Sequence, residues 1–133
     1  MSLIALVPGP IRAWLGRRWA LRQLSESLAA GDLCSVVSDD ETFGVVKILA
    51  VDPDGFHVRI YREKFQWRPL QARSSDLSLG SVNDPQGFGM GHLPLSRAAF
   101  GAWQPVFISR EALVAEELDG HRMWQDASGG YFG

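Results

Sequence analysis

Three histidines, His57, His92 and His121, and a single cysteine, Cys34, are the side chains of this chain with the widest chemical range. Their spacing points away from a metal. No H-x-x-x-H, H-E-x-x-H or C-x-x-C run occurs, and those are the spacings that place ligands on one element. Carboxylates gather at Asp39-Asp40-Glu41 and at Glu116-Glu117 with Asp119. A buried carboxylate pair can run hydrolysis at the right separation, but a run inside a polar turn reads as solvated. No G-x-S-x-G elbow is present, nor a Ser or Cys beside an obvious base. The stretch Gly87-Phe88-Gly89-Met90-Gly91-His92 is rich in glycine without matching G-x-G-x-x-G, and no βαβ pattern surrounds it. It reads as a turned connection or a contact loop, since permissive loops carry recognition. The expectation is a protein without catalytic residues, metal or cofactor: not an enzyme.

The elements that position these groups are legible in part. Gly31–Arg62 reads as three short strands joined by two polar turns. Leu33–Val37 is the first. Phe43–Val51 is the second, dense in β-branched residues. Asp52-Pro53-Asp54-Gly55 is a strong turn, because proline presets φ and glycine tolerates either sign of it. In Phe56–Arg62, Phe56, Val58 and Ile60 alternate with His57, Arg59 and Tyr61, which predicts one core face and one wet face. Lys64–Arg68 and Leu77–Val82 are further strand candidates, and Asn83–His92 is a loop. Ser96 is placed to cap a short helix, Arg97–Trp103. Val106–Ile108 reads as a strand. Ser109 is the expected cap of a helix containing Ala112–Leu118 and continuing toward Ala127. Before all of these, Pro10 opens an amphipathic stretch (Ile11, Trp14, Leu15, Leu21, Leu24, Leu28) that predicts a helix ending at Gly31 and packing on the sheet.

The 133 residues suit one domain, with 1–30 as the N-terminal helix and 31–133 as the sheet-based body. A net charge of −2 argues against nucleic acid or a membrane surface as partner. The distribution is uneven: residues 1–31 hold four arginines against Glu26, while residues 109–133 hold two arginines against five acids. No stretch reaches the roughly 20 apolar residues of a membrane span. Leu3–Val7 is followed rather than preceded by arginines, the wrong order for a secretory signal. The one cysteine excludes an intrachain disulfide and suits the cytoplasm. Arg59–Arg73 interleaves five cations with Tyr61, Phe65 and Trp67, so a nucleic-acid-binding SH3-like module is the second reading, and an enzyme of unrecognised type is the third.

Gly31-Asp32, the Gly44–Val51 strand, Trp103 with Pro105, and Trp124 followed by Gly129-Gly130 together give a pattern. In these features the chain resembles small immunity proteins of bacterial polymorphic-toxin loci, of the immunity protein 26 type, over about residues 31–133. The resemblance implies a cytoplasmic protein that binds and blocks a cognate toxin, and it supplies no catalytic residue. The expected fold is therefore α+β: a bent, mostly antiparallel sheet, an SH3-like partial barrel being one form of it, covered by two or three helices. The expected function is protein binding, with a toxin as partner and homodimerisation left open. The candidate contacts are Phe88, Met90 and His92 of the glycine-rich loop, with Tyr61 and Trp67 on the exposed part of the sheet.

Overall fold

The computed structural model describes residues 28–85 and 87–133. The predicted N-terminal helix lies outside the described residues, apart from Leu28, which is buried in the core. Strands β1 (Asp32–Val37), β2 (Phe43–Val51) and β3 (Gly55–Ile60) form the expected antiparallel meander. β4 (Met90–Ser96) pairs with β3, and β5 (Val106–Arg110) returns to β1. The result is an open five-stranded sheet in the order β4-β3-β2-β1-β5. Helix α1 (Arg97–Ala102) and helix α2 (Asp119–Asp126) complete an α+β architecture among the described residues.

Alternation along each strand divides the side chains between two layers. One face gathers Cys34, Val36, Val46, Ile48, Phe56, Val58 and Leu95 beneath Phe100 of α1. The rings of Phe56 and Phe100 lie 5.0 Å apart. Each such buried side chain contributes roughly 1.5–3 kcal/mol. Ser96 caps α1 as expected, its Oγ accepting from the Ala99 N–H at 3.1 Å. Burial pushes the Cys34 thiol up to about 12, with the Asp32 charge adding to the effect, so the sulfur stays an uncharged core atom.

The opposite face corrects the reading of a wet surface. His57 is fully buried and Tyr61 nearly so, because the crossing segment 65–79 and the C-terminal residues cover that side. A smaller cluster of Leu33, Val45 and Tyr61 packs there with Phe65, Leu77, Leu79 and Ile108.

Other differences concern element boundaries. Lys64–Arg68 contributes only an isolated bridge, Phe65 to Phe43, and Leu77–Val82 forms no strand. Both runs lie off the ladder, and single contacts replace pairing: Arg62 N–H donates to Ser78 C=O, and Ser78 N–H to the Glu63 carboxylate. The loop reading of Asn83–His92 is too long, since Met90–Ser96 joins β3 despite its glycine and proline. Ser109 lies inside β5, and the chain turns helical only at Ala115, first as a 3-10 turn over Ala115–Leu118 and then as α2. Apolar spacing cannot distinguish a short edge strand from the first turn of a helix.

Candidate functional site

The glycine-rich loop is clamped at its base. Arg62 makes an ion pair with Asp84, the Gly89 N–H donates to the Leu79 carbonyl at 2.6 Å, and the Gly87 N–H donates to Asp84 C=O at 2.9 Å. Gly89 sits where no side chain fits, since a Cβ there would lie 1.9 Å from the Ile60 carbonyl oxygen. That contact is backbone and cannot swing away. We therefore expect Gly89→Ala to lower stability by about 1–3 kcal/mol through forced displacement of the loop, measured by urea unfolding. Unchanged stability would mean that the loop does not need this approach.

From this fixed base the loop points apolar groups outward. Val82 is 77 % exposed, Phe88 55 % and Met90 44 %. The remaining predicted contacts are elsewhere. Trp67 is 83 % exposed, but its neighbour Arg68 is tied to the carbonyl of Ser35 on β1, which places Trp67 away from the loop anchored at the end of β3. Tyr61 is buried, and His92 is half-buried and turned inward. The structure thus leaves Phe88 and Met90 on the surface, buries Tyr61 beside the base of the loop at Gly89, and turns His92, two residues along β4 from Met90, inward.

His92 instead joins a network that sequence distance conceals. All three histidines converge on the covered face of the sheet. His57 lies on β3, His92 on β4 and His121 on α2, with His57 ring centroids 5.1 Å from His92 and 4.4 Å from His121. Gly120 permits this approach, because a Cβ there would fall 2.5 Å from the His92 Cβ. The hydrogen bonds fix the direction of the chain. Tyr131 Oη–H donates to the Asp52 carboxylate. The Tyr131 oxygen then accepts from His57 Nε2–H at 2.9 Å, with Asp52 Oδ2 at 3.3 Å from the same nitrogen. His57 Nδ1 is left to accept from His92 Nε2–H at 2.9 Å. Trp124 packs edge-on against His57 at 4.4 Å and donates its Nε1–H to the Gly130 carbonyl.

The electrostatics match neutral His57 and His92 rings beside an ionised Asp52. Burial lowers the His57 pKa, and His121 adds to this, while hydrogen bonding to Asp52 opposes it. Burial, His57 and His121 together push His92 down to about 4. Burial alone would raise Asp52, but hydrogen bonds from Tyr131, the Asp54 and Gly55 N–H groups and His57 hold it below the usual carboxylate range. Burial and the neighbouring Asp52 raise Tyr131. A ring titrating near 4 is a weak general base at neutral pH. Among the described residues no group of three or more His, Cys, Asp or Glu is arranged to hold a metal ion. The arrangement works as a clamp that fastens the C-terminal segment to the sheet. Asp52 was legible only as the turn residue that accepts from the Asp54 and Gly55 N–H groups; nothing in the sequence linked its second oxygen to Tyr131.

The cations of Arg59–Arg73 do not form one free basic strip. Arg62 pairs with Asp84, Lys64 donates to Ser38, Arg68 to Ser35 and Gln104, and Arg73 to Asp76. Fold and site together define an α+β open-sheet protein with a clamped, apolar-tipped loop. Comparison with protein-family models, with curated proteins and with solved structures finds no match for this chain.

Proposed function

We propose that this chain is a non-catalytic protein-binding module, an immunity-type inhibitor that acts in the cytoplasm on a cognate bacterial toxin. The observation that carries the reading is the anchored loop that presents Val82, Phe88 and Met90 to solvent. Exposed Phe and Met on a fixed backbone suit an interface, because a preorganised loop loses little entropy on binding and Met adapts to its partner's shape. The finer fold class that goes with this proposal is an SH3-like bent sheet. Register shifts in the β1–β5, β2–β3 and β3–β4 ladders support it, since bulges bend and twist strands. Among the described residues no helix is long and apolar enough to cross a membrane. The internal pairing of most cations between Arg62 and Arg73 makes nucleic acid the weaker reading.

The decisive variant is Phe88→Ser with Met90→Ser. Its melting temperature should stay close to the parent's, because both side chains already face solvent. The parent should bind the product of the adjacent gene and relieve the growth arrest that product causes when expressed alone, and the variant should lose both effects. A double variant that melts well below the parent would make these residues core. A neighbouring product that neither arrests growth nor binds the parent would remove the immunity reading.

A further inference from the structure

A second face of the molecule carries polar groups without hydrogen-bond partners among the described residues. An open basin of about 460 Å³ lies on the covered side of the sheet, lined by Lys47, Arg59, Tyr61, Ser78, Glu111 and Glu117 among others. Most of these groups are occupied. Lys47 Nζ donates to the Ala112 carbonyl and to Glu117 Oε1, each at 3.0 Å. Glu111 accepts from the N–H and Oγ–H of Ser74. Ser78 Oγ donates to Glu63 and accepts from Arg62.

Two are not. The Tyr61 side chain is 5 % exposed, yet its hydroxyl has no hydrogen-bond partner among the described residues. Arg59, half-buried on the same strand face two residues earlier, has no carboxylate or carbonyl partner there either. A buried hydroxyl without a partner is uncommon, so the Tyr61 O–H, with the half-buried Arg59 guanidinium lining the same basin, points to a guest that accepts from both.

We propose that this basin binds a small carboxylate, with zwitterionic amino acids as the preferred form. The guanidinium is a planar fork that matches a carboxylate's two oxygens, and the Tyr61 O–H is a further donor. Glu111 and Glu117 set the charge of the guest. With Lys47 already paired to Glu117, a dianion would face uncompensated carboxylate repulsion, whereas a monoanion that also carries an ammonium gains from the nearby Glu111. The site shares Leu79 with the base of the loop but uses neither Phe88 nor Met90, and it does not rest on the toxin-binding proposal.

The test uses the full-length protein labelled with ¹⁵N and titrated separately with glycine, acetate and inorganic phosphate at pH 7. Glycine and acetate should move the Arg59 side-chain N–H and the Ser78 and Leu79 amide signals saturably, with millimolar affinity, glycine the tighter. Arg59→Met should abolish the shifts, and Tyr61→Phe, which keeps the ring and removes one oxygen, should weaken binding about tenfold. Loop variants at Phe88 and Met90 should bind glycine normally. The proposal is overturned by the absence of saturable shifts, by unchanged binding in folded Arg59→Met, or by phosphate binding more tightly than acetate.

Discussion

Replacing Lys47 by Met is expected to destabilise this protein by about 3–5 kcal/mol, although the new side chain is apolar and of similar length. Lys47 projects from the middle of β2 and its side chain is 2 % exposed. Its ammonium group joins two parts of the C-terminal region, the Ala112 carbonyl and Glu117. Glu117 is itself only 11 % exposed and also accepts from the Val114 N–H, holding the 3-10 turn in place. Removing the cation alone leaves a desolvated carboxylate without its counter-charge, the costly case for a buried pair. Removing both charges is far less costly, so Lys47→Met with Glu117→Gln should recover most of the loss. Gln keeps an acceptor for the Val114 N–H. Chemical unfolding of the two single variants and the double variant gives the coupling directly. Additive losses in the double variant would show that the pair is not coupled in the fold.

Acid should loosen the C-terminal clamp before it affects the rest of the domain. His57 and His92 both have folded-state pKa values below the ordinary value near 6.5, and His92 lies at about 4. The unfolded chain therefore takes up protons first as pH falls. The stabilisation from these neutral rings is complete above about pH 6.5 and is lost on the way down to pH 4. For His92 the loss is about 2 kcal/mol, allowing for partial access of water to its ring. Asp52 has its pKa depressed, so its contribution persists through this window and disappears only below the usual carboxylate range. Unfolding free energies measured between pH 7.5 and pH 4.5 should fall steadily, as a coupled pair rather than as two separate steps. Trp124 fluorescence should change with them, because its indole rests on His57. His92→Gln should flatten the profile. A profile equally steep in that variant would assign the acid sensitivity to other groups.

The local features of this protein follow from its sequence. Alternation places Phe56 and Val58 in one core with Val46 and Ile48, and the Asp-Pro-Asp-Gly turn sets the β2–β3 hairpin. Ser96 begins α1 because a hydroxyl there reaches the Ala99 N–H whatever surrounds it. These outcomes depend on residues within a few positions of one another, which is the range over which propensity and turn chemistry act. The exposure of Phe88 and Met90 was not legible, since a loop with three glycines can turn such groups outward or fold them back onto the core; only the fold leaves them 55 % and 44 % exposed.

What only the tertiary structure decided is the covered face. The period of two assigns His57, Arg59 and Tyr61 to a common side, but it cannot say whether that side meets water. The answer depends on where residues 65–79 and 112–132 lie, and their positions are set by Lys47 meeting Glu117, Gly120 yielding to His92, and Tyr131 reaching Asp52. Each contact joins groups at least 28 residues apart in the chain. Whether the three histidines stand apart or pack into one cluster is thus a property of loop closure and packing, which no spacing rule encodes. The same closure buried the Tyr61 ring, with no hydrogen-bond partner for its hydroxyl among the described residues, and left Phe88 in solvent, so the fold rather than the residue type determined how much of each aromatic is exposed.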